Sequence, residues 1–173
     1  VPLTLAIIVL LLYLNFRNAR DVLLILGTLP FALVGGVWLL YLLDYDLSIA
    51  AVVGFIALAG VAAETGVVMV MYLEHAWKVR RDGAAQAGRQ PTRVELREAI
   101  IEGALLRLRP KLMTVITVIV GLLPIMWGTG TGSEVMRRIA APMVGGMVSA
   151  TVLTLVIIPS LYLIVNGWRL PKA

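Results

Sequence analysis

Cysteine is absent from the 173 residues, which leaves seven methionines as the only soft sulfur ligands. Disulfides and thiolate metal centres are therefore excluded. Charge is scarce as well: 14% of residues are Asp, Glu, Lys or Arg, where a soluble domain carries about a quarter. The only histidine is His75, at the edge of an apolar run, where a solvated interfacial residue is expected. No catalytic triad and no zinc motif occurs. The glycines of Gly128-Thr-Gly-Thr-Gly-Ser133 suggest a phosphate loop, but no strand precedes them and no GK[ST] element follows. A turn between helices is the better reading, and chemistry on a substrate is not indicated.

What remains is apolar. Sixty per cent of the residues are hydrophobic, and mean hydropathy is +0.95. The apolar runs are continuous and do not alternate, so the chain reads as a helical integral membrane protein and not as a barrel. The net charge of +5 does not point to nucleic acid. It comes from basic loops of the kind that orient membrane helices.

Five apolar runs follow one another. Residues 2–16 reach about 22 Å as a helix, short of the roughly 30 Å hydrocarbon core. The chain starts at Val1, so the expectation is a truncated first helix in a fragment of a longer protein. Residues 22–43 contain Pro30, Gly35 and Gly36, which membrane helices tolerate as kinks or close contacts. A polar turn, 44–48, ends at Ser48, a plausible N-cap. Residues 47–73 form the third span, with Ala59 and Ala63, and Ala62 and Gly66, at four-residue spacing. The polar stretch 74–111 comes next. Residues 83–91 read as a flexible linker, and Thr92-Arg-Val-Glu95 reads as a capping box. Val94, Leu96, Ile100, Ile101, Ala104 and Leu105 make a rough apolar stripe. It fits an amphipathic helix lying along the membrane surface, or an ordinary soluble helix of a small loop. The fourth and fifth spans cover about 112–127 and 142–165, the last with Gly145, Gly146, Ser149 and Ala150 on packing faces. The fold class is all-α: a polytopic transmembrane bundle of about five helices with a cytoplasmic amphipathic helix. The organisation is 1–74 for three membrane helices, 75–110 for the cytoplasmic loop, and 111–173 for two more helices and a short tail.

Loop charges set the orientation. Thirteen of the 15 basic residues fall on one side, including Arg17, Arg20, Arg169 and Lys172, and only Arg137 and Arg138 on the other. The thirteen are cytoplasmic by the positive-inside rule.

One carboxylate lies inside a span. Glu64, in Gly60-Val-Ala-Ala-Glu-Thr-Gly-Val-Val-Met69, sits about 12 Å from the cytoplasmic end of its helix. A charge at such depth costs about 3 kcal/mol or more, so an intramembrane acid is a functional-site hypothesis by default. The alternative is a structural acid that stays protonated or bonds a neighbouring helix. Glu64 shares a face with Gly60, Val61, Val68 and Met71, and that face is expected to pack against other helices. Lys111 stands at the mouth of the fourth span, where a long stem can snorkel its charge to water. If it acts with the deeper Glu64, water or Thr114 would bridge them.

Four stretches carry a family resemblance: Gly60-Val-Ala-Ala-Glu-Thr-Gly-Val-Val-Met69, Arg107-Leu-Arg-Pro-Lys-Leu-Met-Thr114, Gly121 to Met136, and Ala141-Pro-Met-Val-Gly-Gly-Met147. They resemble the C-terminal membrane half of resistance-nodulation-division (RND) pumps, in particular the Cus-type copper/silver branch of the heavy-metal efflux group. Arg-Leu-Arg-Pro and Gly-Gly-Met are shared by the wider superfamily; Ala-Ala-Glu-Thr-Gly and Gly-Ser-Glu-Val-Met are more specific to that branch. The resemblance implies membrane helices eight to twelve of a homotrimeric, proton-driven exporter of the bacterial inner membrane. It also implies periplasmic adaptor and outer-membrane channel partners, membrane lipid around the helices, and no cofactor. Glu64 and Lys111 match proton-relay positions, with Thr114 beside them, and Met136 matches a methionine of the metal path. Thioethers suit soft Cu(I) and Ag(I), although methionine is also a common core filler. Three alternatives stay open: a divalent-metal pump, a multidrug pump, or a packing and assembly fragment. Multidrug relatives usually carry lysine where Glu64 sits, which counts against them.

Overall fold

The computed structural model describes residues 2–168, and all regular structure among them is helical. Five helices follow in order: α1 Pro2–Phe16, α2 Ala19–Leu42, α3 Ile49–Gln86, α4 Arg93–Trp127 and α5 Ser133–Gly167. The last four are long and apolar enough to cross a membrane. Arg169 and Lys172, two of the cations used to orient the chain, lie outside the described residues.

Local chemistry sets the helix ends. Ser48 caps α3, its hydroxyl accepting from the Ala51 amide at 3.3 Å. At the start of α4 the capping box forms in full: the Thr92 hydroxyl accepts from Glu95 N, and the Glu95 carboxylate accepts from Thr92 N. Each bond satisfies an amide that the first helical turn leaves without a partner. The turn between α4 and α5 is shorter than the charge pattern implies, because Ser133 already starts α5. Gly130 and Gly132 take positive φ there, at 156° and 86°, which only glycine adopts without strain.

Two expectations for the polar stretch are corrected. Gly83 lies inside α3, which continues to Gln86, so the linker shrinks to 87–92. The amphipathic helix is not a separate surface element either, because α4 runs unbroken through Pro110 from Arg93 to Trp127. The reason is mutual support between the C-terminal end of α3 and the N-terminal end of α4. Leu96, Ala99 and Ile100 bury beside Leu73 and Trp77. At Gly103 the α4 backbone comes close to Tyr72 and Leu73. Arg80 pairs with both Glu98 and Glu102, at 2.8 and 3.1 Å. Val94, Ile101 and Leu105 of the expected stripe point outward and are exposed.

The spans alternate in direction. One core cluster, through Phe16, Ile25, Leu73, Leu96 and Tyr162, joins the helix ends on the side of the α3–α4 connection. Another joins the outward ends through Leu40, Ala51 and Ala141. Helix α5 is the hub and packs on α2, α3 and α4. Small residues make that possible: a Cβ on Gly145 would collide with the Gly35 carbonyl, and one on Gly146 with Leu58. Ser149 Oγ donates to the Ala32 carbonyl across the same contact, at 2.9 Å. On the outward side Arg137 donates to the Gly128 carbonyl, and Arg138 lies over the Tyr45 ring at 5.7 Å. Arg138 therefore ties the two turns together, and Arg137 closes the α4–α5 turn.

Candidate functional site

The third, fourth and fifth helices enclose a cavity of about 80 Å³ beside Glu64. Helix α3 contributes Glu64, Thr65 and Met69, α4 contributes Arg107, Lys111 and Thr114, and α5 contributes Thr154. A single water needs roughly 10–15 Å³ of such space, so several fit.

Lys111 does not turn toward water. Its ammonium crosses from α4 to α3 and donates to Thr65 Oγ1 at 2.5 Å. Thr65 in turn donates its own proton to the Val61 carbonyl at 2.8 Å. That leaves the hydroxyl's lone pairs for the lysine, so the direction of both bonds is fixed. Glu64 is the next residue back along α3. Its carboxylate lies close enough to Lys111 for direct Coulombic attraction, yet the two do not meet as an ion pair. Both groups line the same cavity.

The face expected to pack does so only in part: Val61 packs against the cluster of Leu58, Val115 and Met147, and Val68 lines the cavity. Gly60, Glu64 and Met71 are exposed, and the buried face of α3 runs through Ala62, Gly66, Met69 and Val70. The geometry is simple: residue 64 lies two positions from both Ala62 and Gly66, about 200° round the helix. Gly66 lies against Ile25 and Ile158, which turns Glu64 away from those neighbours and onto the cavity rim. Thr114 lines the same cavity, and its hydroxyl donates to the Pro110 carbonyl at 2.8 Å. Thr65 takes the place beside Lys111.

Thr65, Arg107 and Thr154 are cavity residues that the sequence reading did not select. Arg107 lies over the Tyr72 ring, 5.1 Å from its centre. Thr154 is buried and donates to the Ala150 carbonyl at 2.5 Å. For Thr65 a signal existed, since it directly follows Glu64 in the same motif. The pairing with Lys111 spans 46 residues, and no local pattern announces it.

Met136 lies apart from this cavity, three residues into α5 and 57% exposed. Met69 and Met147 are core residues, and Met126 packs in the outward cluster. Among the described residues no group of three or more His, Asp or Glu side chains is arranged to hold a metal ion.

Residues 1–166 match the model of the AcrB/AcrD/AcrF family. The chain belongs to that family. It is a multi-pass membrane protein of the RND type, at home in the bacterial inner membrane. It is 57% identical over 162 residues to the cation efflux system protein CusA of Escherichia coli (strain K12). It is equally similar to the putative cation efflux system protein SilA of Salmonella typhimurium. Each alignment covers 94% of this chain and 15% of the relative. The cobalt-zinc-cadmium resistance protein CzcA of Cupriavidus metallidurans is 41% identical over 162 residues, 94% of this chain and 14% of that protein. The crystal structure of a heavy metal efflux pump superposes with a TM-score of 0.79 at 36% identity, covering 96% of this chain and 15% of that one. The chain thus spans about 15% of the length of its first relatives.

Proposed function

We propose that this chain is the membrane part of a proton-driven exporter of Cu(I) and Ag(I). Glu64 and Lys111 form its proton relay, with Thr65 as the group that positions the lysine. Residues 1–74 correspond to helices eight to ten of the complete pump and 111–173 to helices eleven and twelve. The stretch 75–110 is the cytoplasmic connection, and both its limits fall within continuous helices. The complete pump works as a homotrimer with adaptor and outer-membrane channel proteins.

The observation that carries the relay is the direction of Lys111. A lysine that served only as an anchor would place its charge in water. This one spends its reach on a hydroxyl beside the intramembrane acid, at the edge of a cavity with room for water. Protonation of Glu64 removes its attraction for Lys111 and frees the ammonium to swing; release of the proton draws it back. A charge change of one unit is thereby converted into a change in how α3 and α4 are held together.

The soft-metal reading is supported by the higher identity to CusA and SilA than to CzcA and by the thioether chemistry open to Met136. A divalent-metal exporter is the second reading, favoured by the similarity to CzcA. In the complete protein, Glu64→Gln is expected to abolish metal-driven proton movement in proteoliposomes while the trimer assembles normally. Proton flux at the wild-type rate in that variant would remove Glu64 from the relay.

A further inference from the structure

The cytoplasmic end of α5 adjoins two cavities that the Glu64 site does not use. One, of about 380 Å³, lies between Arg93 and Arg97 of α4 and Leu163, Ile164 and Trp168 at the end of α5. The other, of about 470 Å³, shares Ile164 and Trp168 and adds Arg20 of α2. The two meet across the same helix end. The result is an apolar wall at the level of the cytoplasmic interface with three guanidinium groups around it.

Each part has a physical consequence. Guanidinium presents a planar fork of donors that matches phosphate oxygens. Arg93 is the first residue of α4 and Arg20 the second of α2, so two positive helix ends add to the same field. The acids of α4 are engaged elsewhere. Glu98 and Glu102 hold Arg80, and Glu95 holds Arg89. Among the described residues Arg97 forms no ion pair. Trp168 and Ile164 are exposed at 83% and 52%, and an indole at the membrane boundary is an interfacial anchor. A free phosphate would use the cations and leave the wall bare. A phosphodiester that carries acyl chains uses both.

We propose that this groove is a binding site for an anionic phospholipid of the cytoplasmic leaflet. Arg93 and Arg97 hold its phosphate, Arg20 approaches from the second cavity, and an acyl chain runs along Leu163 and Ile164. The site would couple lipid charge to the ends of three helices, α2, α4 and α5, that frame the bundle.

The complete protein, purified in mild detergent and mixed with phosphatidylglycerol or phosphatidylcholine of equal chain length, is the material for the test, with native mass spectrometry as the readout. Wild type is expected to retain phosphatidylglycerol under conditions that strip phosphatidylcholine. Arg93→Gln and Arg97→Gln are each expected to lower that retention roughly fivefold, as a cation near an anionic lipid surface does. Ile164→Trp, which fills the groove and leaves the charge unchanged, is expected to lower it as well. Arg109→Gln, outside the groove, is expected to leave it unaltered. Equal retention of the two lipids would overturn the proposal. So would undiminished retention in Arg93→Gln, Arg97→Gln and Ile164→Trp alike. If millimolar inorganic phosphate displaces the lipid completely, the groove is an anion site only and the lipid assignment fails.

Discussion

Thr65 is the residue on which the proposed relay turns. Its hydroxyl accepts from Lys111 and donates to Val61, so one side chain joins the cation to the α3 backbone. Hydrogen bonds to charged groups contribute about 1.5–3 kcal/mol, and removing one partner in a low-dielectric site leaves the other unsatisfied. Thr65→Val keeps the shape and loses the oxygen. We expect it to reduce export by the complete pump roughly tenfold or more, by the same energy scale, whereas Thr65→Ser stays near wild type. Equal export by the valine and serine variants would show that Lys111 needs no hydroxyl there. Met136 presents the opposite case, a side chain with much exposure and little packing. A volume-conserving apolar swap in a core usually costs under about 1.5 kcal/mol, and an exposed site should tolerate it better still. Met136→Ile should therefore leave protein level unchanged. If the thioether passes soft metal, silver and copper resistance of cells should fall with it; undiminished resistance would mark Met136 as a surface residue without a metal role.

At the scale of elements, the α3–α4 hairpin is the part with titratable support outside the membrane. Glu95 has its pKa held below the ordinary 4.5, first by the Thr92 backbone amide and then by Arg89. A depressed carboxylate favours the folded cap above its unfolded pKa, and that contribution disappears as pH falls through the folded value. Hydrogen exchange at residues 92–96 should therefore accelerate as pH drops below about 4.5, after correction for the intrinsic rate. Thr92→Ala should show fast exchange already at neutral pH and little further change with acid. Protection in the wild type that stays constant through the whole acid titration of Glu95 would mean that the carboxylate does not hold the cap. Such caps were legible in the sequence, because a capping box is a local pattern four residues long. The spans were legible for the same reason, as was the small-residue face at Gly145 and Gly146. Continuity through Gly83 and Pro110 was not. Breakers weaken a helix locally, and what overrode them here is the packing of α3 on α4, including Arg80 with Glu98 and Glu102. That contact joins residues 18 and 22 positions apart. Glu64 was legible as an unusual residue, but its direction was not, since facing depends on which small residues the neighbouring helices choose.

For the whole molecule, the remaining claim is orientation. The charge pattern sets the α3–α4 hairpin in the cytoplasm and the 128–132 turn outside. The structure gives the bundle two ends with separate core clusters, each span reversing the one before. It also changes the meaning of the two outward cations. Arg137 and Arg138 are bound to carbonyls of the outward turns and, for Arg138, to the Tyr45 ring, so they act as ties between helices and do not weigh against the assignment. This stretch has no cysteine of its own, which makes a direct measurement possible. Gln90→Cys and Thr131→Cys place single thiols at opposite ends, each in an exposed turn. A membrane-impermeant maleimide added to intact cells whose outer membrane has been permeabilised should label Thr131→Cys and spare Gln90→Cys. Inverted inner-membrane vesicles should give the reverse. Labelling of Gln90→Cys from outside would invert the bundle and move Glu64 to the periplasmic half of the bilayer.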